Sequence, residues 1–137
     1  MAAELRGGCQ CGDIRYEVTG VPQQVSVCHC TDCQRQSGSA FGMALVVKEE
    51  DFRIIQGEVK TFASKSDTGR AKLGAFCPGC GTRIYHKPEW RKGMVSVKAG
   101  TLDDTTMLTP DIHIWAGSKQ PWITIPDDVE AHEKNPS

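Results

Sequence analysis

The sequence predicts a mostly β domain of short strands with very little helix, held in part by metal. Three observations predict it. Alternating or β-branched runs recur at intervals of roughly 8–15 residues, with Gly, Pro or charged residues between them, which is the pattern of an all-β chain. A single stretch, Thr31 to Ser37, reads as a helical turn. Seven cysteines fall into two pairs and a triplet at metal-ligand spacing.

In chain order, Asp13 to Thr19 alternates apolar and polar residues, and Val25 to Cys28 places two valines around a serine. Phe41 to Val47 is a nearly continuous apolar run, as expected of a strand covered on both faces. Phe52 to Gln56, Val59 to Ala63 and Arg70 to Phe76 are short β-rich runs set off by Gly and charged residues. Met94 to Ala99 and Trp122 to Ile125 complete the set. In the helical turn, Thr31 is the expected cap and Gly38 the expected stop. From Asp127 onward the chain is polar and is expected to be a loose tail, giving one domain over residues 1–126 and a tail over 127–137.

A chain of 137 residues fits one domain. At 39% hydrophobic residues and nine aromatic ones its core is modest, so help from metal is in keeping with its size. The formal charge is −1, with 16 basic and 17 acidic residues spread along the chain. No basic stripe marks a nucleic-acid partner. No run approaches the ~20 apolar residues that span a bilayer. The first eight residues hold no apolar signal segment, so the expected compartment is the cytoplasm. Nothing in the sequence sets an oligomeric state.

An odd number of cysteines in a reducing compartment argues against disulfides and for metal. Cys77-Pro-Gly-Cys80-Gly81 is a zinc knuckle, two thiolates three residues apart on a tight turn. Cys9-Gln-Cys11 is extended, and side chains at i and i+2 share a face, so both sulfurs can meet one ion. Together the pairs offer the four thiolates of a closed, structural zinc site, where a lone pair would also fit a redox motif. The triplet Cys28-His29-Cys30-Thr31-Asp32-Cys33 wraps three sulfurs around an ion and leaves one position open, the mark of a reactive site. His29 should point away from its two neighbouring cysteines, while His86, His113 or Asp32 remain available to close the site. Iron–sulfur ligation is the minor alternative, since it would need a fourth thiolate from the other group. Thiolate donors select zinc over magnesium or calcium. Three thiolates make a zinc electron-rich, a poor source of hydroxide and a good acceptor of a further thiolate, so the chemistry is expected to concern sulfur.

These residues resemble the glutathione-dependent formaldehyde-activating enzyme family, which also includes centromere protein V. The resemblance rests on Gly8-Cys9-Gln-Cys11-Gly12-Asp-Ile-Arg15-Tyr16, on Cys28-His29-Cys30-Thr-Asp-Cys33-Gln-Arg35-Gln-Ser37-Gly38-Ser39 and on Phe76-Cys77-Pro78-Gly79-Cys80-Gly81-Thr82. Weaker matches are Gly100-Thr101-Leu102-Asp103-Asp104, His113-Ile-Trp115 and Lys119-Gln-Pro121-Trp122. The resemblance implies an Mss4-like β-tent of short antiparallel strands in two packed sheets, pinned by zinc. It implies two zinc ions per chain, a structural one on Cys9, Cys11, Cys77 and Cys80 and an open, catalytic one on Cys28, Cys30 and Cys33. It implies a carbon–sulfur lyase of the S-(hydroxymethyl)glutathione synthase kind, with glutathione or a related thiol as partner. The family often carries Cys-Arg-Arg or Cys-Arg-Lys at the end of the hook, whereas here Gln34 stands first and Arg35 follows.

Arg35, Ser37, Gly38 and Ser39 follow the hook and are candidate substrate-binding residues, because a glutathione-like ligand brings two carboxylates that suit Arg. A solvated Arg beside an ordinary Ser/Gly turn accounts for them equally well. Lys119 is a further candidate, with Pro121 and Trp122 as a pocket wall. Trp90, Trp115, Phe41 and Phe62 read as packing, and Asp103-Asp104 as a turn. The alternative function is a non-catalytic module on the same fold that binds zinc, a thiol or a protein.

Overall fold

The computed structural model describes residues 4–65 and 69–135. They form two sheets. The smaller joins β1 (Leu5–Gly8), β2 (Arg15–Val18) and β5 (Phe52–Gln56) in the order β1-β2-β5. The larger contains β3 (Gln24–Cys28), β4 (Gly42–Lys48), β6 (Lys60–Lys65), β7 (Ala71–Phe76), β8 (Arg83–Pro88), β9 (Met94–Lys98), β10 (Ile112–Ile114) and β11 (Glu130–Ala131). Its order is β11-β10-β3-β4-β9-β8-β7-β6. Pairing is antiparallel except where β10 lies parallel to β3 and to β11. The expected mostly β architecture in two sheets is therefore present.

The core lies between the sheets. Tyr16 and Val18 from the small sheet, with Ile14 just before β2, meet Leu45, Val47, Val95, Val97 and Ala75 from the large one, all at or below 1% exposure. Tyr16 anchors the contact: its ring packs on Phe52 at 5.3 Å, and its hydroxyl pairs with Thr101 Oγ1 at 2.7 Å. Beside it Arg15 Nη1 donates to Asp103 Oδ1 at 2.9 Å, and Asp104 accepts from the Thr106 backbone N–H. The run Gly100 to Asp104 is thus the clasp between the sheets, and its two aspartates diverge as expected of a turn.

Because side chains alternate and directly paired residues share a face, the strand register assigns the two faces of the large sheet. One face carries Val25, Val27, Leu45, Val47, Val95 and Val97 to the core. The other carries the rows Cys28–Gly42, Ser26–Ala44–Lys98 and Val46–Ser96–His86–Gly74. That second face is built mostly of small and polar residues, and it is where the site forms.

Helix α1 (Thr31–Ser37) connects β3 to β4. Its N-cap is Cys30 and not Thr31, because Cys30 is the last extended residue and its sulfur accepts the Cys33 N–H at 3.3 Å. Gly38 stops it as expected, in the left-handed region at φ 62° that costs a residue with a Cβ energy.

Three further expectations are corrected. Trp122 to Ile125 is not a strand: Ile123 N–H closes a turn on Gln120, Pro121 and Pro126 bracket the stretch, and Trp122 is 70% exposed. Four strands, β1, β8, β10 and β11, are present beyond those read from sequence. The C-terminal segment is not loose over its described part. Glu130–Ala131 pair with β10, and the backbone N–H groups of Trp115, Ala116 and Gly117 bond the carbonyls of Lys134, His132 and Glu133. Residues 136 and 137 of that tail, and 1–3 of the expected domain, lie outside the described residues. Among the described residues no helix is long and apolar enough to cross a membrane.

Candidate metal centres and the cavity

Cys9, Cys11, Cys77 and Cys80 converge although they come from opposite parts of the chain, their ligand atoms all within 4.8 Å of one another. Cys9 Sγ lies 3.5 Å from Cys11 Sγ, and Cys11 Sγ lies 3.7 Å from Cys77 Sγ. Sulfurs arranged tetrahedrally about zinc at ~2.3 Å sit ~3.8 Å apart, so this donor set fits the ion. Backbone bonds shape both arms. Ile14 N–H donates to Cys9 Sγ at 3.2 Å, and Gly81 N–H closes the knuckle on the Cys77 carbonyl at 2.8 Å. The Thr82 hydroxyl, then its N–H and that of Cys11, hold the Cys80 thiol down to about 5. A thiol kept ionised near neutral pH is prepared to act as a ligand.

Cys28, Cys30 and Cys33 form a second cluster within the same 4.8 Å limit. Cys28 ends β3, Cys30 caps α1 and Cys33 lies buried in its first turn. Hydrogen bonds from the Cys28 and Cys33 thiols hold Cys30 well below the ordinary thiol range. Sharing with Cys30 and then Cys33 pushes Cys28 up. The trio therefore behaves as one anionic unit. Among the described residues no imidazole or carboxylate joins the three sulfurs. His29 is fully buried and bonds His113 through Nε2 to Nδ1 at 2.9 Å, which also occupies His113. Gln34 is spent on structure: its amide donates to the His29 carbonyl at 2.9 Å and to Ser118 O at 3.2 Å.

The three thiols face a cavity of about 110 Å³ on the small-residue face of the large sheet. Lys72, His86 and Lys98 line it from neighbouring strands, and Trp90, Arg91, Trp115 and Asn135 line it from loops and the C-terminal segment. Trp90 and Trp115 are thus cavity wall as well as packing. Trp115 takes left-handed backbone at φ 57°, a conformation that costs a bulky residue ~1–3 kcal/mol and recurs at functional sites. His86 is 6% exposed, and burial, then Lys98, Lys72 and Arg83, hold its imidazole neutral, with a pKa of about 2. Burial also lowers the Lys98 ammonium, opposed by the charge of Cys33.

The chain matches the model of the glutathione-dependent formaldehyde-activating enzyme over residues 4–118. It belongs to that family. A similar fold is seen in a crystal structure of a Rhodobacter sphaeroides protein, at TM-score 0.60 and 21% identity over 77% of this chain and 91% of that one. The likeness reports architecture only. Within this chain the two cysteine groups are drawn together as their spacing implies.

The candidate substrate residues are placed differently. Arg35, Gly38 and Ser39 line a separate hollow with Thr31, Gln120 and Trp122, reached from the other side of α1. Ser37 is engaged in the turn, donating to the Cys33 carbonyl at 2.8 Å and accepting from Ser39 N–H. Lys119 is half-buried in the loop after Ala116–Ser118, where its charge bears on His29. Sequence reasoning did not single out Lys72, Arg91 or Lys98. The available signal was alternation within Met94–Lys98, which sends Val95 and Val97 one way and Ser96 and Lys98 the other.

Proposed function

We propose that this chain is a zinc-dependent carbon–sulfur lyase of the S-(hydroxymethyl)glutathione synthase kind, joining glutathione or a related thiol to formaldehyde and parting them again. The observation that supports it best is the convergence of three thiols, with no fourth protein ligand among the described residues, on a cavity wall. Four-plus-three thiolate donors favour two zinc ions per chain, one closed and one open. When bound at Cys28, Cys30 and Cys33, zinc supplies a position that takes up a substrate sulfur as thiolate.

The chain's own residues then orient and shield that sulfur. The small residues Gly42, Ala44 and Ser26 leave room above the sheet, while Trp90 and Trp115 limit access of water. Arg35, Gly38, Ser39 and Lys119 are proposed to receive the carboxylates of the thiol's peptide. What supports Arg35 is its exposure in a hollow that shares α1 with the three thiols.

Cobalt substitution tests this reading. Reduced glutathione should alter the thiolate-to-cobalt absorption and release a proton, because the sulfur must be deprotonated to coordinate. S-methylglutathione, which keeps both carboxylates, should do neither. An unchanged spectrum at saturating glutathione would overturn the lyase reading in favour of a binding module that engages no thiol sulfur.

A further inference from the structure

We propose that His86 and Lys98 form an oxygen-binding subsite facing the three thiols, which takes the carbonyl oxygen of a small aldehyde and the hydroxyl of its thiol adduct. This rests on the lyase reading for the sulfur and adds the partner site for the oxygen.

The geometry points to it in three steps. Sheet register puts Lys98 one row of pairs from Cys28, and His86 in the row beyond, all on one face. A Cβ built at Gly42 would lie 3.1 Å from Lys98 Nζ and 3.4 Å from Cys33 Sγ, so ammonium and thiol flank the same bare backbone. His86 Nε2 is buried on the cavity wall with no hydrogen-bond partner.

An orphaned buried nitrogen is costly, and a fold retains it where a ligand or water completes it. Among the described residues neither Lys98 nor His86 is in a salt bridge. Lys72 and Arg91 add positive charge to the same wall, and Asp32 is the carboxylate that lines it. A cavity with excess cation and a neutral imidazole suits a developing oxyanion. The desolvation that keeps His86 neutral leaves Nε2–H free to donate in that tautomer.

The step balances. The thiolate sulfur attacks the formaldehyde carbon, the S–C bond forms, and the C=O π pair moves to oxygen. Lys98 Nζ–H and His86 Nε2–H donate to that oxygen, which takes one proton from water, matching the one released when the thiol ionised. Preorganised donors of this kind contribute about 10²–10³ in rate when one is removed.

Binding of two small thiols to the cobalt-substituted protein tests the subsite apart from turnover. The probes are 2-mercaptoethanol, which carries a hydroxyl, and 1-propanethiol, of the same length without one. Wild-type protein should prefer the hydroxyl thiol about tenfold, after correction for the reference preference of a small tris-thiolate cobalt complex. Lys98→Met and His86→Phe should each erase the preference, read as the ratio of the two affinities in the same variant, and Lys98→Arg should restore most of it. In wild-type protein the His86 Nε2 resonance should shift with 2-mercaptoethanol and stay with 1-propanethiol, a readout that needs no variant to fold. If both thiols bind with equal affinity and His86 does not respond, the subsite holds only water and the inference falls while the lyase reading stands. If neither thiol perturbs cobalt, the lyase reading and this subsite fall together.

Discussion

Trp115 donates its indole N–H to Asn135 Oδ1 at 3.1 Å, and that bond fastens the cavity wall to the C-terminal segment. The same segment supplies β11 and three carbonyls to the backbone around Trp115. It therefore supports the one non-glycine residue held at positive φ among the described residues.

Removing residues 130–137 should release that strained conformation and open the cavity. We expect a loss of a few kcal/mol, from several backbone bonds at ~1 kcal/mol each, and a red shift of tryptophan fluorescence. Asn135→Ala alone should cost about 1 kcal/mol. A truncated chain with wild-type melting temperature and emission would show that the segment carries no structural role.

The two thiol groups should fail unequally. Structural zinc contributes on the order of 10–16 kcal/mol of binding energy coupled to folding, so Cys77→Ser or Cys11→Ser should leave the chain unfolded or insoluble. Cys30→Ser should lose one metal and the thiol response yet melt cooperatively. Metal analysis of protein purified without added zinc should give two ions per chain, and one ion, or iron, would contradict the partition.

Gly42→Ala probes the space between Cys33 and Lys98. The new Cβ would meet Cys33 Cβ at 3.2 Å and Lys98 Nζ at 3.1 Å; the lysine tip can move, but the cysteine, fixed in α1, cannot. We expect about 1 kcal/mol of destabilisation and a much larger loss of thiol binding, with both metals retained. Full thiol binding in this variant would mean that substrate sulfur approaches from another side.

Tyr16 should shape alkaline stability. Burial, eased by the Thr101 hydroxyl, pushes its phenol up to about 12 from an ordinary 10. The folded state then holds the proton more tightly than the unfolded one between those values. The contribution is fully present below pH 10 and is lost as pH rises towards 12, on the order of 2–3 kcal/mol for one buried phenol. Tyr16→Phe should lower stability by about 1 kcal/mol at neutral pH and flatten the decline above pH 10, as read by urea titrations across that range.

Arg35→Gln should raise the half-saturating glutathione concentration about tenfold, the worth of one charge-assisted bond, without altering a small thiol such as 2-mercaptoethanol. An equal effect on both thiols would assign Arg35 to the fold instead.

Much of the fold was legible where a segment's own residues decide its state. Phe52–Gln56 forms over the range expected, and Gly38 ends α1 because only the absence of a Cβ makes φ 62° cheap. β8 escaped notice because Arg83, His86 and Lys87 make it read as polar, and it is a strand only because β7 and β9 flank it. Trp122–Ile125 failed the other way: its residues favour a strand, but among the described residues it pairs with none and two prolines confine it. The C-terminal pairing to β10 was hidden for the same reason, since its bonds are made by backbone and leave little trace in side-chain pattern.

By itself the sequence determined the partition of the seven cysteines, because short spacing and the valence of a thiolate-binding ion act within a few residues. Tertiary structure alone decided what surrounds the open trio. Lys72, His86 and Lys98 sit on three different strands, and nothing local relates them. Once strand order and register are set, the two-residue period of the chain sends all three to one face, beside Cys28 and over bare glycine. Register is itself fixed by burial of the opposite face, where Leu45, Val95 and Val97 must meet Tyr16 and Val18. The apolar side of the sheet therefore chose the chemistry of its polar side.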